Sequence, residues 1–324
     1  MKSVVTGGAG FIGSHLVDAL LERDHEVLVI DDLSTGREEN LAAAREEGAE
    51  ISVGDITDAD FVDGAIARFS PTAVFHLAAQ ADVRRGVVDP GFDARVNVIG
   101  TINVLEAARR AEASQLVFAA TGGAVYGEGE GQQLPFVETT PPAPFTPYGA
   151  SKLAGESYVA LYRRLHGLPG VALRFGNVYG PRQDPHGEAG VVAIFCGKLL
   201  DGEPPTVFGD GGQTRDYVYV SDTVDAVLRA SDALGRDPDS LDGPYNVGTG
   251  AETSVLQLLD ELTAISGTRI EAASSPARAG EVQRVVIDPA AAGRDLGWSA
   301  EVDIRRGLKA TFDEMRERRE AAAG

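Results

Sequence analysis

Residues 4–32 read VVTGGAGFIGSHLVDALLERDHEVLVIDD. An apolar pair runs into a knot of glycines, an amphipathic stretch follows, and a second apolar run closes on two aspartates. Gly8, Gly10 and Gly13 fit the spacing G-x-G-x-x-G, while Gly7, Gly10 and Gly13 fit G-x-x-G-x-x-G. Glycines so placed permit a tight turn, let the backbone approach a pyrophosphate and allow a helix to pack closely on a strand. The helix starting near Phe11 then aims its free N–H groups and dipole at that pyrophosphate. Asp31, at the end of the next strand, stands where an acid would bond the adenosine ribose hydroxyls. A glycine cluster alone is often only a turn; the strand before it, the helix after it and the acid beyond make it a dinucleotide site. The paired carboxylates Asp31 and Asp32 would repel a 2′-phosphate, which favours NAD over NADP, although Arg37 nearby argues the other way. In VGDITD, Asp55 and Ile56 suit an adenine-edge contact or simply end a strand.

Outward from this unit, AEISVGD, TAVFHLAA and QLVFAAT read as further strands, being short, β-rich and bounded by Gly or Asp. NVIGTINVLEAARRAEA carries helical spacing, as FIGSHLVDALLERD does. Alternating helices and nearly continuous apolar strands imply a doubly wound parallel sheet, an α/β fold of Rossmann type buried on both faces. Residues 122–147, rich in Gly and Pro, read as a long loop. A helix from about Tyr148 to Leu165 and a strand GVALRFGNVYG follow, then apolar-periodic helices near 221–234, 254–266 and 302–317. The expected division is residues 1–176 as the dinucleotide-binding domain and 177–324 as a smaller, partly interleaved substrate domain with segments returning to the sheet.

Composition narrows the field. The chain has 324 residues, 43% hydrophobic and 24% charged, an ordinary globular balance. A net charge of −20 opposes nonspecific nucleic-acid binding, because phosphates would be repelled. No apolar run approaches the roughly 18 residues of a membrane span, and the start MKSVVTGG enters a strand at once, leaving no room for a signal peptide. The single cysteine, Cys196, excludes an intrachain disulfide framework and fits a reducing, cytoplasmic setting. His15, His25, His76, His166 and His186 lack metal-ligand spacing, so no metal is expected. His76 reads as packed beside the cofactor strand. An anionic ligand would require a local arginine cluster against this global charge.

YGASK places Tyr148 and Lys152 four apart, on one face of a helix that opens just after the long loop. A phenol titrates at about 10, too high for a base at neutral pH. A nearby ammonium, together with the positive nicotinamide of NAD, favours the phenolate and lowers that value. Lys152 could also bond the nicotinamide ribose. Thr121, in the strand-end segment AATGGAVYG, is the candidate hydroxyl to share the proton. Together these groups form a device for removing a proton from an alcohol as hydride leaves for NAD.

With these motifs in view, the chain resembles the extended short-chain dehydrogenase/reductase superfamily and its NAD-dependent epimerase/dehydratase branch, closest to the UDP-glucose 4-epimerases. The Gly-rich turn, DDLSTG, GDITD, HLAAQADV, AVYGE, YGASK, GNVYGPRQDPHGEAG and RDYVYVSD carry the resemblance over essentially the whole chain. It implies cofactor contacts from Gly7, Gly10, Phe11, Ile12, Gly13, Asp31, Asp32, Ser34, Thr35, Gly36, Asp55, Ile56, Leu77, Ala78, Ala79, Gln80, Asn97, Thr121, Tyr148 and Lys152. It implies catalysis by Tyr148, Lys152 and Thr121, which with Asn177, Val192, Arg215, Arg278 and Glu281 would also meet the substrate. Arg215 and Arg278 match positions that hold a UDP diphosphate, for which the arginine fork is suited.

Dehydratases and sugar-acid decarboxylases of the family carry carboxylates just after the strand-end hydroxyl, where this chain has Gly122, Gly123 and Ala124. The simplest fate of a 4-keto intermediate is then return of the hydride to the opposite face. The expected activity is a 4-epimerase interconverting UDP-glucose and UDP-galactose through transient oxidation at C4 and rotation of the keto-sugar. The alternatives are a UDP-GlcNAc or UDP-uronate 4-epimerase, another NAD-dependent nucleotide-sugar oxidoreductase, or a catalytically silent nucleotide-binding scaffold. Many members place Ser or Thr four residues before the Val-Tyr tyrosine, which here counts to Gly122, one beyond Thr121. Bulk near position 285, here Val285, gates N-acetylated sugars in the family. The resemblance also implies a homodimer through helices 97–113 and 148–165, with a UDP-hexose as the small-molecule partner and neither nucleic acid nor membrane.

Overall fold

Six apolar runs supply most of the central sheet: β1 (Lys2–Thr6), β2 (Glu26–Asp31), β3 (Glu50–Val53), β4 (Ala73–His76), β5 (Gln115–Thr121) and β6 (Gly170–Phe175). The computed structural model describes residues 1–128, 133–185, 190–268, 270–277 and 282–323. The strand Tyr245–Val247 joins β6, and the order Tyr245–Val247, β6, β5, β4, β1, β2, β3 is parallel throughout. The order reverses between β1 and β4, and the crevice at such a switch point, beyond the carboxyl ends of the strands, is where α/β sheets bind ligands. The expected α/β fold of Rossmann type is the one observed.

The burial pattern explains why the strand runs are almost continuously apolar. Val5, Val27, Val29 and Phe75 pack on one face of the sheet, against Leu16, Val17 and Leu20 of helix Phe11–Leu21 and Val227 of helix Val220–Arg236. Their neighbours Val4, Leu28, Ile30 and Val74 pack on the other face, against Ile66, Leu105 and Val159 of helices Ala59–Phe69, Thr101–Arg110 and Pro147–His166. Successive strand residues point to opposite faces, so a sheet covered twice needs apolar side chains at every position. A third apolar cluster joins helices Val191–Leu200, Val255–Ser266 and Ile304–Ala323. Among the described residues, no helix is long and apolar enough to cross a membrane.

Three segments depart from expectation. The strand expected over 170–180 breaks at Gly176 into β6 and a separate strand, Asn177–Tyr179, which pairs with Tyr217–Tyr219. The stretch expected as one helix over 97–113 begins with a π-helical segment, Arg95–Gly100, before the α-helix Thr101–Arg110. A Cβ on Gly100 would lie 2.6 Å from Ile56 Cδ1, and Asn97 spends its amide on the Gln80 backbone, so local contacts override regular winding. Residues 122–147, expected as a loop, open with one helical turn, Gly122–Val125. Further on, Phe136 N–H donates to Val286 O and Phe136 O accepts from Asp288 N. Val125, Tyr126, Phe136 and Ile287 form an apolar cluster of their own, which anchors this segment to the C-terminal part of the chain.

Candidate active site

The glycine turn leaves no space for side chains. Gly7 has φ +72°, and a Cβ there would come 2.6 Å from Ala78 N; one on Gly13 would come 2.1 Å from Gly7 O. Helix Phe11–Leu21 starts at Gly10 without a side-chain cap, so its first N–H groups are not taken by a capping side chain. This bare, positively polarised helix start fits the pyrophosphate of a dinucleotide.

Asp31 is buried, and its two oxygens accept from Ala9 N and Leu33 N at 2.9 Å each. It thereby clips the glycine turn to the end of β2. Burial pushes its carboxyl up, against these bonds. Asp32 is exposed and accepts from the Ser34 amide and hydroxyl. Gly36 packs over Asp31 and Ala9, since a Cβ on it would lie 2.7 Å from Asp31 Oδ1. Arg37, the residue that argued for NADP, gives its guanidinium to Asp184 at 2.5 Å and Glu39 at 3.2 Å.

The other residues expected around the cofactor divide by what their side chains are free to do. Leu77, Ala78 and Ala79 follow β4, and Thr35 follows Ser34 in the turn after β2. Asp55 accepts from Thr57 N, whereas Ile56 is buried beneath Gly100. Gln80 has its side chain spent inside the protein: Nε2 donates to Asp82 O and Asp93 Oδ2, and Oε1 accepts from Asp82 N. Asn97 closes a two-bond bracket with the Gln80 backbone, both at 2.9 Å. Gln80 and Asn97 therefore shape the strap after β4 more directly than they offer donors to a ligand.

Helix Pro147–His166 presents Tyr148 and Lys152. Thr146 caps it by accepting from Gly149 N at 3.1 Å, Pro147 occupies the first turn, and Gly167 ends it with φ +66°. Lys152 is buried, and its Nζ donates to Ala119 O of β5 at 2.8 Å. Burial lowers its ammonium to about 8, with the Asp93 carboxylate and then Glu156 opposing that fall. Tyr148 is half-buried, and desolvation followed by the Asp93 charge pushes its phenol up to about 12. Among the protein's own groups desolvation dominates, and the ammonium's bond goes to a carbonyl; the expected lowering of the phenol also takes in the positive nicotinamide.

Thr121 ends β5, nearly buried. A Cβ on Gly122 would meet Ile287 Cδ1 at 2.8 Å, so that position faces the core. One on Gly123 would have Asn177 Oδ1 at 3.5 Å and Thr121 Oγ1 at 3.8 Å as its nearest neighbours. The helical turn Gly122–Val125 absorbs the extra glycine, leaving Thr121, Gly123 and Asn177 together. Asn177 N donates to Asp216 O, and Arg215 lies next along that chain with Nη1 on Thr214 O at 2.7 Å.

The remaining substrate candidates fare differently. Val192, expected near the substrate, is buried in the third apolar cluster. Val285 is also buried. Arg278, Glu281 and His186 lie outside the described residues. His76 is fully buried between Thr6 Oγ1 (2.7 Å) and Thr101 Oγ1 (2.9 Å), and burial holds its imidazole down at about 3.

Sequence reasoning passed over a buried network behind the helix. Arg174 bonds Glu156 through two nitrogens, at 2.9 and 2.7 Å, and donates to the Tyr126 hydroxyl at 2.8 Å, which in turn donates to Asn246 Oδ1 at 2.7 Å. The signal was available for one member: Glu156 follows Lys152 by the same four-residue step that separates Lys152 from Tyr148. Asp93, also overlooked, carried no motif.

Comparison with known proteins places this geometry. Residues 3–248 match the model of the NAD dependent epimerase/dehydratase family. The chain is 46% identical to the UDP-glucose 4-epimerase of Mycolicibacterium smegmatis, over 98% of this chain and 99% of that protein. The crystal structure of Thermotoga maritima UDP-glucose 4-epimerase with UDP-glucose superposes with a TM-score of 0.93 at 42% identity, covering 98% and 99% of the two chains. The Thermus thermophilus UDP-glucose 4-epimerase complex with NAD gives a TM-score of 0.88 at 44% identity, with the same coverage.

Proposed function

This chain belongs to the NAD dependent epimerase/dehydratase family, with NAD as its cofactor, and we propose that it is the isomerase that interconverts UDP-glucose and UDP-galactose by inverting C4. The observation that carries the reading is the glycine at 123. This position opens between Thr121 Oγ1 and Asn177 Oδ1 and brings no acid of its own. Without a second proton-transfer group there, a 4-keto sugar has nothing from this segment to drive elimination, and reduction back to the alcohol is the remaining course.

NAD, when bound, supplies the acceptor for the hydride from C4 and the source of its return. Tyr148 takes the proton of the C4 hydroxyl and later gives it back. The burial that raises its phenol would be offset by the positive nicotinamide ring of the oxidised cofactor. Lys152, fixed by Ala119 O, keeps N–H groups for the nicotinamide ribose. Thr121 shares the hydroxyl proton from the strand end. Asn177 and Arg215 orient the diphosphate, Arg215 supplying the local positive charge that a chain of net charge −20 needs. The glycine turn and Asp31 hold the dinucleotide.

We read the molecule as a homodimer joined at the expected helices, because Val87, Val88, Ile99 and Leu165 leave apolar surface exposed on and beside them. We place the boundary between cofactor-binding and substrate-binding parts at residue 176.

Purified protein incubated with UDP-galactose and no added NAD should yield UDP-glucose. A reaction that halts unless NADH is continually supplied would replace this reading with that of a net reductase. A faster reaction with UDP-N-acetylhexosamines than with UDP-hexoses would replace the sugar assignment.

A further inference from the structure

Asp93 lies on the short helix Pro90–Ala94, which packs against helix Pro147–His166. It is fully buried. Its Oδ2 accepts from Gln80 Nε2 at 3.1 Å, and its Oδ1 has no hydrogen-bond partner among the described residues. Gly86, on the helix Val83–Val88, makes room for it: a Cβ there would fall 2.9 Å from Asp93 Oδ2. A buried carboxylate with an unsatisfied oxygen is costly, and a fold that only needed to fill this space could use an apolar residue at no such cost. Such groups persist where their charge is used.

The other charged and titratable groups on the surrounding elements do not share this position. Arg85 lies over the Phe92 ring, 3.9 Å from its centroid. Asp82 and Asp89 cap the two short helices by accepting from Arg85 N and Phe92 N. Arg84 sits on the same helix as Arg85, and Arg95 begins the π-helical segment. On helix Pro147–His166 the groups are Tyr148, Lys152 and Glu156, the last already paired with Arg174, and, in its C-terminal half, Tyr158, Tyr162, Arg163, Arg164 and His166. His76 on β4 is held between two threonines. Asp93 is the acidic group whose charge acts on both Tyr148 and Lys152.

We propose that Asp93 is a positioning residue for the Tyr148–Lys152 pair: a buried acid, held by Gln80 with one oxygen unpartnered, on a short helix packed against the helix that carries both, where it serves as their counter-charge. It rests on the functional reading above only in taking Tyr148 as the base. Its electrostatic content stands whatever the sugar.

The consequence is a shift of both groups in one direction. Removing the negative charge should make Tyr148 ionise more readily and Lys152 lose its proton more readily, so both titrate at lower pH. The direct readout is the ultraviolet absorbance of the phenolate, taken as the difference between each protein and its Tyr148→Phe counterpart, on the cofactor-loaded enzyme without sugar. Asp93→Asn should move the Tyr148 midpoint down by about one pH unit, a tenfold change in proton affinity. Asp93→Leu, which also removes the desolvation cost, should move it the same way, and Asp93→Glu should move it less than either. Both limbs of the pH profile of turnover should move to lower pH together in the two neutral variants. A purely structural role would lower the profile without displacing its limbs.

A Tyr148 midpoint unchanged in both neutral variants would overturn the proposal. So would failure of both to fold and retain NAD, which would assign Asp93 to architecture alone. Because the absorbance titration uses no sugar, it separates failure of this proposal from failure of the epimerase assignment.

Discussion

Lys152 on the helix Pro147–His166 and Ala119 on β5 are joined by a 2.8 Å bond from the ammonium to the main-chain carbonyl. The bond ties a flexible side chain of the helix that carries Tyr148 to the strand that also ends in Thr121. Lys152 Nζ also lies 4.8 Å from the centroid of the Phe118 ring on the same strand. The ammonium is thus oriented by β5.

Replacing Lys152 by Met keeps an apolar stem and removes both the charge and the bond. The Ala119 carbonyl is then left without this donor, at a cost of about 1–3 kcal/mol. Turnover should fall by about 10²-fold or more. Steady-state kinetics and thermal melts check this, and kcat within threefold of wild type would remove Lys152 from the mechanism.

Gly13→Ala should abolish cofactor retention. The new Cβ would fall 2.1 Å from Gly7 O, a main-chain atom that cannot yield without opening the turn. NAD released on denaturation, measured per chain, should drop below about a tenth of the wild-type amount, given how strongly forced overpacking disturbs a tight site. Full cofactor content in this variant would show that the turn does not form the cradle.

His76 makes stability depend on pH. Its folded value, about 3, lies below the ordinary 6.5 because burial disfavours the imidazolium. An unfolded chain therefore binds a proton at this site at pH values where the folded chain does not. The contribution of the neutral ring is complete above pH 6.5 and is lost as pH falls from there toward 3. In urea melts, wild type should lose up to about 1.4 kcal/mol per pH unit more than His76→Gln across the upper part of this window. Parallel curves for the two proteins would refute it.

Arg174 and Glu156 form a buried bidentate pair, their side chains 4% and 8% exposed. Arg174→Met alone strands a buried carboxylate and should cost about 3–5 kcal/mol. Adding Glu156→Leu should recover most of that loss, since an apolar pair needs no compensation. Denaturant unfolding of both variants decides it, and equal destabilisation of the single and the double variant would contradict it.

Much of the frame was legible because it rests on periodicity. Strands buried on both faces need unbroken apolar runs, and β1, β2, β4 and β5 have them. The glycine turn was legible because close backbone approach excludes every other residue. What escaped depends on three-dimensional neighbours. The π-helical start at Arg95–Gly100 follows from Ile56 beneath Gly100, a contact no local pattern records. Val192 matches a substrate position, and its packing in the third apolar cluster is a relation that no local pattern records. The burial that raises the Tyr148 phenol, and the Asp93 charge that adds to it, are not legible from the spacing of Tyr148 and Lys152, which shows only that the two share a helix face. Asp93 was invisible, since a lone aspartate in DPGFDAR reads as surface until the fold buries it.

The central claim is that the Tyr148 phenol carries the proton of the reacting hydroxyl, and Tyr148→Phe tests it most directly. The variant keeps the ring and loses the acid. Its turnover of UDP-galactose should fall by about 10³-fold or more, with NAD content unchanged and UDP affinity by calorimetry within about threefold, a difference under 1 kcal/mol. Turnover within tenfold of wild type, in protein that still holds NAD and UDP normally, would contradict the account.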